Sequence, residues 1–136
     1  MGQIREITIQ SRDRCELIKL DAEVARLVKE SGVGEGVCYV FVPHTSAGVM
    51  INEGADPTVA QDIGAKLGEL VPREGPYRHN DAEKNADSHI KATLAGSSVI
   101  LLVSNGAPVL GTWQSIFFCE FDGPRRRRVL VRISEA

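Results

Sequence analysis

Three stretches of this chain, Val37 to Val42, Ser97 to Val103 and Trp113 to Phe121, are apolar at odd and even positions alike. Successive residues of a β-strand point to opposite faces, so a strand wet on one side alternates, whereas an unbroken apolar run marks one covered on both. Each of these runs therefore demands two covers: a second sheet, helices or a neighbouring subunit. That demand makes oligomerisation an expectation from the residues themselves. Arg127 to Ile133 behaves differently, with Val129, Val131 and Ile133 on one face and Arg126, Arg128, Leu130 and Arg132 on the other.

Two shorter β-type runs, Gln3 to Gln10 and Arg14 to Leu20, flank Ser11-Arg12-Asp13, which reads as a hairpin turn. Asp21 is placed to cap a helix reaching about Glu30, with Val24, Leu27 and Val28 on one face and Ser31-Gly32 as its stop. Asp56-Pro57 is a second helix start, an N-cap carboxylate followed by proline at the first helical position. That helix carries Val59, Ile63, Leu67 and Leu70, and also Gly64 and Gly68, for which close packing on a sheet is one explanation and flexibility the other. A long polar loop, Glu74 to Asp87, precedes a short helix from Ser88 to Ala95 capped by Asp87 and stopped by Gly96. No strand–helix–strand rhythm dominates. The chain reads as one α+β domain over residues 1–136, with a largely antiparallel sheet and two or three helices.

Several function classes fall away. The net charge of −2 does not suit a general nucleic-acid binder, and four arginines at 125–128 that alternate sides of a strand do not make one patch. No apolar run reaches the length of a membrane span, and Met1 to Glu6 lacks an apolar signal region. Cys15, Cys38 and Cys119 are odd in number, widely spaced and set in apolar stretches, where a free thiol acts as a small hydrophobe. These features give the expectation of a reduced, cytoplasmic protein. There is no nucleophile elbow for serine chemistry and no glycine fingerprint for a nucleotide.

What remains is polar. The chain's three histidines, His44, His79 and His89, all lie in turn-rich segments beside carboxylates, and none is inside an apolar strand. His44 follows a two-sided strand, so it projects from the rigid end of a sheet, where loops commonly mount sites. His89 falls in a first helical turn, where an imidazole can ligate a metal or act as a base. Three imidazoles and a water suit zinc in an open site; magnesium prefers oxygen ligands. Spacings of 35 and 10 residues match no local metal motif, so the divalent metal stays one alternative beside metal-free acid–base chemistry. Glu53 is a candidate general base or partner of a histidine, and Thr45, Ser46 and Asn52 are candidate donors to an anionic substrate. Asp56 reads more simply as a helix cap. Arg125 or Arg127 could reach a phosphate or carboxylate.

Six motifs in order, Pro43-His44-Thr45-Ser46-Ala47, Ile51-Asn52-Glu53 with Ala55-Asp56-Pro57, Tyr77-Arg78-His79-Asn80, Ala86-Asp87-Ser88-His89-Ile90, Gly111-Thr112-Trp113-Gln114 and Glu120 to Arg125, resemble those of the YjbQ family. The resemblance runs from about Ile7 to Ile133. It implies a β-sandwich core, assembly as a homotrimer and a weak, secondary thiamine-phosphate synthase activity, which joins a pyrimidine diphosphate to a thiazole phosphate and releases pyrophosphate. It also implies that the three histidines gather in one pocket. Two readings then stand. In the first, a small-molecule enzyme holds zinc or magnesium through His44, His79 and His89, uses Glu53 or Asp87 in catalysis, and binds substrate through Thr45, Ser46, Asn52, Trp113, Gln114 and Arg125. In the second, the same pocket binds a metal or small anion without turnover.

Overall fold

The computed structural model describes residues 2–136. Eight strands form two antiparallel sheets. One is five-stranded, in the order β1 (Arg5–Gln10), β8 (Arg126–Glu135), β3 (Gly36–Phe41), β5 (Ser98–Ser104), β6 (Ala107–Pro108). The other is three-stranded, in the order β2 (Glu16–Lys19), β7 (Gln114–Glu120), β4 (Ala47–Glu53). Three helices, α1 (Asp21–Ser31), α2 (Pro57–Leu70) and α3 (Ala86–Ala95), complete the α+β fold. Among the described residues, no helix is long and apolar enough to cross a membrane.

The inward residues of both sheets meet in one core. Cys38 and Val40 of β3, Val129, Val131 and Ile133 of β8, and Ile116 and Phe118 of β7 are all buried there, and α1 adds Val24, Leu27 and Val28. The parity read for β8 holds: Arg126, Arg128 and Arg132 face outward, and Arg127 is buried on the side of Val129, Val131 and Ile133. On the other side of β7, Phe117, Cys119 and Phe121 form a second apolar cluster under α3 and α2. The two-sided run from Trp113 to Phe121 thus has its two covers, one sheet and two helices. Gly48 makes part of this possible, because a Cβ there would collide with the backbone oxygen of Gly96 at the end of α3.

The other two-sided runs find one cover each. On the outer face of the five-stranded sheet, Tyr39 and Phe41 of β3 and Ile100 and Leu102 of β5 remain 44–64% exposed, and Tyr39 pairs with Ile100 across the strands. Burying an apolar side chain of this size fully contributes roughly 1.5–3 kcal/mol over leaving it in water. The single chain forgoes that stabilisation along the whole face.

Four local expectations need correction. Ser11 to Asp13 is not a hairpin turn: β1 pairs with β8 and β2 with β7, so the chain crosses there from one sheet to the other. Ser11 is buried in that crossing, where its Oγ donates to Glu120 and accepts the Arg125 N–H. Asp21 and Asp87 are not caps; the N-cap positions are Leu20 and Asn85, and neither makes a side-chain cap bond. The Asp21 carboxylate instead accepts the Ile116 N–H at 2.7 Å, tying α1 to β7. Cys15 lies outside any strand and is exposed, unlike Cys38 and Cys119. Finally, α2 has no buried residue, and beyond the helix's own adjacent backbone nothing lies within 4 Å of where a Cβ on Gly64 or Gly68 would stand. Close packing therefore does not explain those glycines, each of which costs roughly 1 kcal/mol relative to alanine in a helix. Two helix signals do operate as read: Asp56 accepts the Thr58 N–H at 2.9 Å ahead of Pro57, and Gly32 ends α1 with φ of 74°.

Candidate functional site

β3 ends at Phe41, and the chain then turns through Pro43, His44, Thr45 and Ser46 into β4. The turn between β7 and β8 carries Asp122 and Arg125, and the 3-10 turn Arg78–Asp81 brings His79 up to the start of α3, where His89 stands. These segments surround one polar pocket of about 440 Å3 lined by all three histidines. Segments 35 and 10 residues apart in sequence meet because two strand ends and a helix start open at one place.

Backbone contacts set the two better-held imidazoles differently. His89 Nδ1 lies 2.9 Å from the Thr45 carbonyl oxygen. A carbonyl only accepts, so Nδ1 carries the proton and, in the neutral ring, Nε2 keeps its lone pair. His44 is the converse: its Nε2 accepts the Arg128 N–H at 3.0 Å, so the proton of the neutral ring sits on Nδ1. Burial, followed by the positive charge of Arg127, holds the His44 pKa below its ordinary value. One ring thus has a lone pair uncommitted and the other an N–H. His79 packs edge-on to His89, with ring centroids 5.2 Å apart. Its turn is pinned by Asn80, whose amide donates to the Arg73 and Gly75 carbonyls and accepts the Ala86 N–H.

The guanidiniums are anchored before any ligand arrives. Arg127 is buried and donates to Glu120 through Nε and Nη2, and to Ser46 Oγ at 2.9 Å. Burial raises the Glu120 pKa, but Arg127, the Asp122 N–H and Ser11 more than reverse that, so the carboxyl stays below its usual range. Arg125 is half-exposed and held to Asp122 at 3.0 Å. Asn85 donates to the same Asp122 carboxylate at 2.9 Å.

Of the residues singled out from sequence, the pocket brings together His44, Thr45, Ser46, His79, His89, Arg125 and Arg127. It does not include Glu53 or Asn52: the Asn52 amide oxygen accepts the Glu53 N–H, and the Glu53 carboxylate accepts the Asp56 N–H, beside α2. Trp113 is 64% exposed elsewhere, and Gln114 accepts the Gly111 N–H within its own turn. Asp87 is fully buried, its carboxylate bridging Arg14 and Lys91. Glu83, Asn85 and Asp122 line the pocket and were missed. Asp122 had a readable signal, an acid three residues before Arg125 across a Gly-Pro turn; Glu83 and Asn85 had none beyond membership of the long loop.

A three-histidine metal centre does not fit this donor set. Among the described residues no group of three or more His, Cys, Asp or Glu is disposed to hold a metal ion. His44 Nε2 is already committed to an N–H, and two guanidiniums line the same pocket.

Comparison with known proteins gives a consistent result. Residues 5–136 match the family model described as UPF0047 protein YjbQ-like. A UPF0047 protein of Methanocaldococcus jannaschii is 45% identical over 125 residues, covering 92% of this chain and 89% of that protein. The UPF0047 protein YugU of Bacillus subtilis is 39% identical over 131 residues, covering 96% and 98%. A crystal structure of a YjbQ/UPF0047 protein from Clostridium acetobutylicum superposes with a TM-score of 0.92 at 45% identity, covering 96% of this chain and 99% of that one. A YbjQ-like protein of unknown function from Sulfolobus solfataricus gives 0.94 at 32% identity, covering 98% and 97%.

Proposed function

This chain belongs to the YjbQ-like UPF0047 family, and from its histidine pocket we propose that it is a small-molecule enzyme that acts on a phosphorylated substrate by metal-free acid–base chemistry. The observation that carries the reading is the opposite setting of His89 and His44, one by a carbonyl and the other by a backbone N–H. His89 Nε2 is the general base, taking a proton from the hydroxyl or water that attacks phosphorus, and the His44 Nδ1–H donates to the leaving oxygen as its bond to phosphorus breaks. Arg125 and the Thr45 hydroxyl hold the phosphate, while Ser46 and Glu120 keep Arg127 in place. In the activity that the YjbQ resemblance implies, the joining of a pyrimidine diphosphate to a thiazole phosphate, Arg125 and the His44 N–H would meet the departing pyrophosphate in the same way, whereas a ring-nitrogen nucleophile gives up no proton and leaves the His89 base to reactions of a hydroxyl or water. The exposed apolar face of β3 and β5 fits the same reading, with further copies of the chain covering it in a homotrimer.

The test pairs binding with turnover. Pyrophosphate is titrated calorimetrically into the wild type, His89→Gln and Arg125→Gln, and each is assayed for pyrophosphate release from a panel of phosphorylated substrates that includes the pyrimidine diphosphate and thiazole phosphate pair. Expected are pyrophosphate binding weakened by Arg125→Gln, and turnover lowered by about 100-fold or more in His89→Gln with pyrophosphate affinity kept. Binding without turnover anywhere in the panel would make the protein a binding module. Absence of pyrophosphate binding would refute the phosphate reading.

A further inference from the structure

A second cavity, of about 490 Å3, lies between α2 and the outer side of the three-stranded sheet, away from the histidines. Its size is within the range of small-molecule pockets. One wall is made by Gly64 and Gly68, where side chains are missing from a helix that buries no residue, and the opposite wall by Leu17 and Phe121. α2 stands off the sheet just where a larger residue would close the gap. Ala60 and Leu67 of the same helix, which also line the cavity, do reach the apolar cluster.

Charge supplies the second, independent indication. Lys91 lines the cavity and is only 4% exposed. Among the described residues its ammonium has one hydrogen-bond partner, Asp87 Oδ2 at 2.9 Å, so two N–H groups are left unanswered in a buried place. The same Asp87 carboxylate is shared with both terminal nitrogens of Arg14, each at 3.0 Å. One anion therefore serves two cations. Glu120, in the same wall, is itself paired with Arg127. Glu16, also lining the cavity, is partly solvated and accepts the backbone N–H groups of Arg12 and Asp13.

We propose that this cavity is a second binding site, for a medium-chain carboxylate whose head meets Lys91 and whose hydrocarbon tail lies along Gly64 and Gly68. An apolar trough with a buried ammonium that keeps two N–H groups unanswered offers a carboxylate head the bonds it lacks, whereas an ammonium head would bring only more donors.

The test uses octanoate as probe, by isothermal titration calorimetry on the whole protein, with octylammonium as control. Expected is saturable octanoate binding at one site per chain and none of octylammonium. Gly68→Leu, which fills the trough, weakens it by at least about tenfold, and so does Lys91→Met; His79→Gln leaves it unchanged. No saturable octanoate binding, equal binding of octylammonium, or full affinity in Gly68→Leu would each overturn the proposal. So would loss of octanoate in His79→Gln, which would put the ligand in the other pocket. Gly68→Leu leaves the buried ion trio untouched, so a folding failure of Lys91→Met does not disable the test.

Discussion

Asp87→Asn should unfold this protein about 10 °C below the wild type. The carboxylate has no exposed surface, receives Arg14 at 3.0 Å and Lys91 at 2.9 Å, and each bond is charge-assisted. Burial pushes the Asp87 pKa up, yet the two cations more than reverse it and hold the carboxyl below its ordinary value. Asparagine keeps the shape and removes the charge, leaving a guanidinium and an ammonium facing each other with no anion between. Removing one partner of a buried ion pair costs about 3–5 kcal/mol. The lower end applies here, because the Arg14 side chain is 25% exposed and water can answer part of its charge. An unfolding entropy of about 2.1 cal/mol/K per residue turns about 3 kcal/mol into about 10 °C for a chain of this length. Circular dichroism melts at pH 7 read the shift. Asp87→Asn/Lys91→Met should recover part of it, since the double change removes one of the two opposed cations. A single variant that melts within about 2 °C of the wild type, or a double variant no better than the single, would refute the assignment of Asp87 as the shared counter-ion of α3.

Stability should also fall in acid in two stages. His44 has its pKa lowered by burial and by Arg127 from an ordinary 6.5, so the folded state holds fewer protons than the unfolded one just below that pH. Its contribution is complete above about 6.5 and is lost as pH falls through the folded value; Asp87 and Glu120, also lowered, follow at lower pH. A urea midpoint that stays level from pH 7 to 5, or the same fall in His44→Gln, would contradict this. For thiols, one fast-reacting group per folded chain is expected with a water-soluble disulfide reagent. Cys15 is exposed, whereas burial pushes Cys38 up to about 11 and Cys119 up to about 12. Two fast thiols in the native protein would mean that β3 or β7 is not packed as described.

Hydrophobic parity made much of this fold legible. The two-sided pattern from Trp113 to Phe121 foretold a strand covered on both faces, and the alternation of Val129, Val131 and Ile133 foretold which side of β8 is wet. Parity carries no information about partners, which is why β1 and β2 read as a hairpin although they belong to different sheets. Capping chemistry was readable where proline followed the acid, at Asp56, and misleading at Asp21 and Asp87, whose carboxylates serve distant N–H groups and cations instead. At the pocket, histidines standing in turns after apolar strands were visible as candidates. Glu53, Asn52, Trp113 and Gln114 looked equally polar, but their side chains are spent or exposed within their own turns. Only the tertiary fold separates a polar turn that points at a site from one that closes on itself.

The position of β8 bears on how the chain is made. It lies between β1 and β3, pairing Ile7 with Val129 on one side and Cys38 with Ile133 on the other. During translation β1 leaves the ribosome before β8 and has no strand beside it until residues 126–135 follow. Until then β1 and one side of β3 are open edges, ready to accept any extended segment that comes near. The five-stranded sheet is therefore closed only once residues 126–135 have emerged, and β1 stays open to mispairing while the residues between it and β8 are made.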